Sequence, residues 1–399
     1  HQPQYVRLMK FLHQRGFSST ISSLSVPHQP GELVISLPES CLITTSTVLD
    51  SYVGQYVKSW KPCLSPLLAL CVFLVCERHR GEASDWFPYI DVLPSTYTCP
   101  AYFTDDIMAV LPASVRRRAL EQREVVQELH SSNQNFFRFL QPILNKPTED
   151  VLTYEALRWA WCSVNTRSVF MSQPPNNFLS GQDNYALAPF LDLLNHRPDV
   201  QVRASFNNQT RCYEIRSVAG SLRYQQAFIN YGSHDNQRLL LEYGFVATAN
   251  PHSVVYVDTG ELKKRDTMFC MWFLLEDDTD QCPTRKKDEG PSWRLMTALR
   301  LLSLPQSLYH HWKAVLLGQV VCEEREEWSL QTAKTLCQRL LQDTYTALHK
   351  DCEQPVREQL HVVRSLQQEE RCILGSCLEA LESSLKQTDN HQLDVSDVS

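Results

Sequence analysis

Hydrophobic positions in this chain change period several times, and each change predicts an element. Residues 4–14 repeat at three- and four-residue spacing and predict a helix, while residues 32–37, where Val34, Ile35 and Leu37 run up to a proline, predict a strand. Ser65 and Pro66 then open an apolar helical run. Serine is a favoured N-cap, and proline fits the first helical position because its missing N–H has no intrahelical partner to lose. The pattern stays helical over 86–152 and again over 153–164. An Asn- and Pro-rich loop at 174–184 follows, then short alternating runs at 200–206, 212–218 and 227–231 that predict small half-buried strands. Asp235 is placed to cap a helix through Tyr243, and Gly244 to end it by taking a left-handed conformation.

Past residue 251 the character changes. A charged stretch at 258–290 precedes three amphipathic helices near 292–317, 328–349 and 356–386. In the last, Val356, Leu360, Val363, Ile373, Cys377, Leu381 and Leu385 fall largely on one face. The expected organisation is a first domain at 1–250 with a helical insert at about 68–155, a variable connection at 251–289, an all-helical domain at 290–386 and a polar, frayed tail at 387–399.

Composition narrows what such a chain does. With 399 residues, 43% of them hydrophobic and 10% aromatic, real cores are within reach and disorder is excluded. The net charge of −7 removes the polycationic surface that indiscriminate phosphate binding needs, so direct contact with nucleic acid is not expected. The longest apolar block, 67–76, is half a bilayer span, and the chain opens without a signal-peptide pattern. A protein of the cytoplasm or nucleus, monomeric and without a membrane, is the expectation. The 14 cysteines form no Cys-x-x-Cys pair and lack neighbouring histidines at zinc spacing, so reduced thiols are expected and no metal. Cys71, Cys76, Cys162, Cys372 and Cys377 sit within apolar helical patterns, where cysteine behaves as a small hydrophobe. Arg116, Arg117 and Arg118 read as a solvated helix face. Only 12 glycines occur, no two separated by one residue, which excludes Gly-x-Gly dinucleotide loops and P-loops. Neither a Gly-x-Ser-x-Gly elbow nor a His-Glu-x-x-His motif appears.

Two segments remain as candidate chemistry. One runs from Ala186 through Pro189 and Asp192 to Asn195 and His196; the other contains Asn230, Tyr231, Gly232 and then Tyr243, Gly244 and Phe245. Taken alone, Asn195 and His196 also suit a helix C-terminus. Together, and in this order, the segments resemble the cofactor and active-site motifs of SET-domain methyltransferases of the Rubisco lysine methyltransferase-like class. Supporting landmarks are the runs 35–41, 86–94, 159–167 and 290–294.

The resemblance implies an α+β fold: a SET domain of small β-sheets with a knotted C-terminal part and a helical insert, followed by an all-helical substrate-binding domain. It implies a protein-lysine N-methyltransferase that uses S-adenosyl-L-methionine and acts on a lysine-bearing protein, histone or non-histone. Asn195 would offer its amide to the methionine part and His196 its backbone to the adenine. Arg167 and Asp192 match positions near the cofactor's polar end, and Tyr243, Gly244 and Phe245 line the cofactor and target pocket. Tyr231 matches the catalytic tyrosine. A phenol near pKa 10 is a poor base at neutral pH, so its expected part is to orient the amine. One relative of this broader class methylates histidine, so imidazole is an alternative acceptor. Residues 17–32 hold no counterpart of the class's glycine-rich turn, which motivates a further alternative, an interaction protein impaired in catalysis.

Overall fold

A computed structural model of the chain describes residues 2–18, 33–217, 226, 228–257, 290–348 and 357–396. It divides into two compact units. The first comprises 1–102, 119–232 and 240–245; the second comprises 103–118, 233–239 and 246–399. The second unit thus takes in 103–118, 233–239 and 246–250, which the sequence groups with the first domain. The glycine-poor stretch 19–32 and the connection 258–289 lie outside the described residues.

In the first unit, α1 (Pro3–Gln14) precedes β1 (Leu33–Pro38), and two short helices, α2 (Thr45–Asp50) and α3 (Gly54–Ser59), follow. Next comes α4 (Pro66–Arg80), which begins as its sequence dictates: Ser65 Oγ accepts from Leu68 N–H at 3.2 Å, with Pro66 in the first turn. Its residues 68–77 are all buried, so this helix is apolar all round and forms the centre of the core. α10 (Tyr154–Arg167) packs against it, capped by Thr153, whose hydroxyl accepts from Ala156 N–H at 3.1 Å. Arg78 of α4 covers the Trp159 ring of α10 at 4.1 Å.

The intervening stretch, expected to be continuously helical, is broken. It contains α5 (Phe87–Ile90), α6 (Asp105–Val110), α7 (Ala113–Ser131), α8 (Gln134–Phe139) and α9 (Thr148–Val151), of which α6 and residues 113–118 of α7 fall in the second unit. Pro88, Pro94, Pro100, Pro112 and Pro147 account for every interruption except the one at 132–133, since proline is confined to first turns and loops.

Three small sheets complete the unit. β2 (Ser168–Phe170) pairs antiparallel with β3 (Tyr185–Leu187). β4 (Asn195–His196) pairs with a later strand, β7 (Phe228–Ile229), in parallel. β5 (Val202–Asn207) and β6 (Cys212–Ser217) form a hairpin that continues onto β1 in the order β1-β6-β5. The alternating runs at 200–206 and 212–218 therefore mark real strands, whereas β2, β3 and β4 are too short to show a period.

α11 (Asn236–Tyr243) has the expected ends: Asp235 Oδ1 accepts from Arg238 N–H at 2.8 Å, and Gly244 sits at φ 77°. The second unit is otherwise helical, with α12 (Trp293–Ser303), α13 (Trp312–Leu316), α14 (Glu323–Leu348) and α15 (Arg357–Ser396). The run expected as one helix over 292–317 is divided after Ser303, where Leu304 precedes Pro305. α15 continues to Ser396, through residues assigned to a frayed tail. Its inward stripe is Val363, Leu366, Gln367, Glu370, Leu374 and Leu381, so Leu374 rather than Ile373 faces the core. Gln367 and Glu370 are satisfied there: Gln367 Nε2 donates to the Val110 carbonyl at 2.7 Å, and Gln237 Nε2 donates to Glu370 at 2.8 Å.

Cys71, Cys76 and Cys162 are buried as expected, Cys377 is half-buried, and Cys372 is exposed, on the solvent side of α15. No helix among the described residues is long and apolar enough to cross a membrane, and none of these residues group as metal ligands.

Ser65→Ala is expected to remove one cap and lower stability by about 1 kcal/mol, whereas Leu70→Ala, at a fully buried site, should lower it by about 2–5 kcal/mol. Denaturant midpoints of the two variants check the ranking.

Candidate active site

The two sequence segments meet through β4 and β7. Asn195 pairs with Phe228 and His196 with Ile229. Four further bonds extend this two-residue ladder. Arg197 N–H donates to the Ile229 carbonyl at 3.0 Å, and Asn230 Nδ2 donates to the Pro198 carbonyl at 3.1 Å. Tyr231 N–H donates to His196 Nδ1 at 3.1 Å, and the Tyr231 hydroxyl donates to the Leu194 carbonyl at 2.6 Å. Because His196 Nδ1 accepts, the neutral ring carries its proton on Nε2.

Aromatic rings gather on this junction. Tyr231 lies 5.0 Å from Tyr243, 5.1 Å from His196 and 6.3 Å from Phe245, centroid to centroid. Phe245 is also 6.0 Å from His196 and 6.2 Å from Tyr243. Burial pushes the Tyr231 phenol up to about 12, with Tyr243 and Asp192 adding to that and Arg167 opposing it. The hydroxyl is therefore a hydrogen-bonding group and not a base near neutral pH.

Gly244 makes the turn between the two rings possible. At φ 77° a side chain is already disfavoured, and a Cβ there would lie 2.9 Å from the Cys99 backbone nitrogen. Thr98 closes the contact by donating its hydroxyl to the Gly244 carbonyl at 2.6 Å.

Arg167 and Asp192 form a second, deeper layer. Arg167 ends α10, where a cation is favoured by the helix dipole, and its Nη1 donates to the Asp192 carbonyl at 3.0 Å. The same nitrogen lies 3.7 Å from the Asp192 carboxylate, whose side chain is only 2% exposed. Tyr89 donates its hydroxyl to that carboxylate at 2.8 Å. Burial pushes the Asp192 carboxyl up to about 6, against the lowering effect of Arg167 and Tyr89. Burial acts to lower Arg167, but Asp192, Tyr97 and Tyr89 together outweigh it, so the guanidinium stays charged. Phe190, just before this turn, is held at φ 76° with its ring 5.2 Å from Phe17, a strained backbone fixed by packing.

All eight residues singled out from the sequence lie in the first unit. Tyr231, His196, Tyr243 and Phe245 share one aromatic cluster, with Asn195 beside His196 on β4 and Gly244 holding the last pair. Arg167 and Asp192 are paired with each other. Asn195 is exposed, and its side-chain amide has no hydrogen-bond partner among the described residues. Arg167 Nε and Asp192 Oδ1 are buried and equally unmatched. Such donors and acceptors suit a small zwitterionic ligand. Tyr89 and Thr98 were not among the sequence candidates. Tyr89 lies within the 86–94 landmark, but only the fold shows that its hydroxyl reaches Asp192.

The chain is similar in sequence and fold to known proteins. A family model described as the Rubisco LSMT substrate-binding domain matches residues 263–388. SET domain-containing protein 4 of Mus musculus is 43% identical over 408 residues, covering 96% of this chain and 93% of that protein. Actin-histidine N-methyltransferase of Homo sapiens is 29% identical over 252 residues, 60% of this chain and 40% of that protein. The solved SET domain of LSMT bound to lysine and AdoHcy superposes with a TM-score of 0.66 at 17% identity, covering 98% of this chain and 94% of that one. The fold is thus α+β, a SET domain accompanied by a helical domain.

Two outcomes test the site. Gly244→Ala should lower stability by on the order of 1–3 kcal/mol and displace the Tyr243 and Phe245 rings, read as a lower melting temperature with altered near-UV circular dichroism. Asp192 has a folded-state value raised from 3.8 to about 6, so its contribution to stability is complete below pH 3.8 and is lost as pH rises through about 6. The stability advantage of the wild type over Asp192→Asn should therefore shrink across that window in urea titrations. A constant difference would show that the carboxyl titrates unshifted.

Proposed function

The chain belongs to the SET domain-containing protein 4 family, and we propose that it transfers a methyl group from S-adenosyl-L-methionine to a lysine side chain of a protein substrate, histone or non-histone. The observation that carries this reading is the junction of β4 and β7, which pairs the Asn195–His196 strand with the segment leading to Tyr231 and joins His196, Tyr231, Tyr243 and Phe245 in one ring cluster.

When bound, S-adenosylmethionine supplies an electrophilic methyl group on a sulfonium. Asn195 and Arg167 would hold its methionine end, with Asp192 and Tyr89 fixing the Arg167 guanidinium, and the backbone at His196 would meet the adenine. Displacement at a methyl carbon requires an in-line neutral amine, and holding that geometry supplies much of the acceleration. Tyr231 orients the amine: its oxygen can accept a hydrogen bond from the substrate while its own O–H still donates to the Leu194 carbonyl. Lysine is ordinarily protonated at neutral pH, and desolvation among aromatic rings favours its neutral form. The same rings stabilise a methylated ammonium by cation–π attraction.

A histidine acceptor is the second reading, supported by the likeness to actin-histidine N-methyltransferase. Labelled cofactor with candidate protein substrates, followed by mass spectrometry of the modified peptide, separates the two. Methyl transfer to histidine alone would overturn the lysine reading. Absence of saturable S-adenosylhomocysteine binding by calorimetry would instead favour the impaired interaction protein suggested by residues 17–32.

Tyr231→Phe should lower turnover on the order of 100-fold by loosening acceptor alignment while leaving cofactor affinity nearly intact. Asn195→Ala should weaken cofactor binding about tenfold, the worth of one hydrogen bond. Calorimetry alongside single-turnover methyl transfer distinguishes these effects. Loss of cofactor binding in Tyr231→Phe would refute the assigned roles.

A further inference from the structure

α14 and α15, the two longest helices described, meet along a core that contains Leu330, Ala333, Leu374 and Leu381. Within that core Cys337 of α14 and Cys377 of α15 face each other with their sulfurs 3.7 Å apart. We propose that Cys337 and Cys377 are a redox-active dithiol that closes to a reversible disulfide, stapling α14 to α15.

The placement differs from that of the other thiols. Cys162 also engages Cys99, but both are sealed in the core of the first unit, where soluble oxidants have no access. Cys372 is exposed but stands on the outer side of α15, away from the facing helix. In the Cys337–Cys377 pair one thiol is only 3% exposed and its partner is half-buried. The sulfurs are already in van der Waals contact, so a bond of about 2.05 Å needs closure by less than 2 Å.

The two thiols are also unequal. A hydrogen bond from Cys337 lowers the pKa of Cys377 against the opposing effect of burial. The same contact, with burial, raises Cys337. Cys377 is therefore the accessible sulfur and the first to ionise.

The oxidant is a low-molecular-weight disulfide of the glutathione type. The Cys377 thiolate attacks one of its sulfurs, the oxidant's S–S bond breaks, and one thiolate leaves. Cys337 then loses its proton and attacks Cys377 Sγ in the mixed disulfide, expelling the second thiolate. The two protein protons end on the two released thiols, and the protein is oxidised by two electrons while the small disulfide is reduced by two. Excess dithiol reverses both exchanges. The staple closes a long stretch of chain, so it restricts the unfolded ensemble and raises stability.

The test uses the full chain, equilibrated with glutathione disulfide, blocked with a thiol reagent and digested without reduction. The expected result is a cross-linked peptide pair holding Cys337 and Cys377, lighter than the two free peptides by two hydrogens and absent after dithiothreitol. The oxidised protein should melt several degrees above the reduced one. Cys377→Ser should abolish both changes. Cys337→Ala, which keeps the buried position apolar, should abolish the cross-link and trap glutathione on Cys377. Recovery of Cys337 and Cys377 as free thiols under conditions that modify Cys372, or a cross-link that persists in Cys377→Ser, would overturn the proposal. None of these measurements depends on methyl transfer.

Discussion

The site rests on the parallel pairing of β4 with β7, a ladder of two residue pairs. Parallel pairing is slightly less stable per residue than antiparallel, and a ladder this short does not hold itself. What holds it is the set of bonds around it: Tyr231 to Leu194 and His196, Asn230 to Pro198, and Arg197 to Ile229. Residues 194–198 and 228–231 consequently behave as one piece. Register matters more than area here. A slip of one residue would turn the exposed Asn195 inward and remove His196 from the Tyr231 amide.

Beneath that junction the protein buries a charge pair that ordinary core packing would avoid. Replacing such pairs by apolar groups is often neutral or stabilising, so the value of Arg167 and Asp192 lies in position. Arg167 is carried by the end of α10, and Asp192 by a turn that starts from the strained Phe190. Tyr89, from the helical insert, completes the enclosure. Three elements distant in sequence are thereby referred to one carboxylate. The strain at Phe190 has a physical reading in that light: the left-handed residue redirects the chain so that Asp192 points inward and Asn195, three residues later, points out.

Much of this was legible wherever local chemistry decides the structure. Ser65 with Pro66, Thr153, and Asp235 with Gly244 act within a few residues of themselves, so their sequence signals and their structural roles coincide. The β5 and β6 runs are long enough for their sequence pattern to mark strands, although burial does not follow a strict alternation: 203–205 are all exposed and 213–215 all buried. Elements decided by distant contacts were not legible. β4 is two residues long and has no period to read. Gln367 and Glu370 occupy buried positions on α15 because Val110 and Gln237 satisfy them, and neither partner is visible from the helix's own pattern. Cys372 fell within an apolar run but faces solvent, since the run supplies more apolar residues than the inward stripe uses. Around the site, Tyr89 and Thr98 were not legible, because their hydroxyls meet Asp192 and Gly244 only after folding.

The proton inventory of the ring cluster constrains the proposed chemistry. The Tyr231 hydroxyl commits its proton to the Leu194 carbonyl and is pushed up to about 12 by burial. The His196 Nδ1 lone pair is committed to the Tyr231 amide. Neither group is therefore a ready acceptor for a substrate proton at neutral pH, and Asp192, which could be one, is enclosed by Arg167 and Tyr89. For a lysine acceptor, the proton must leave to solvent before the amine settles against the rings, and loss of hydration favours that order because burial disfavours the cation. An imidazole acceptor is already largely neutral near pH 7 and needs no such step. The two acceptors thus differ in where pH acts. With lysine, rate should follow the fraction of free amine reaching the site; with histidine, it should level off once the imidazole is neutral. With no ready base among the described residues of the cluster, acceptor identity becomes a question of proton supply before binding.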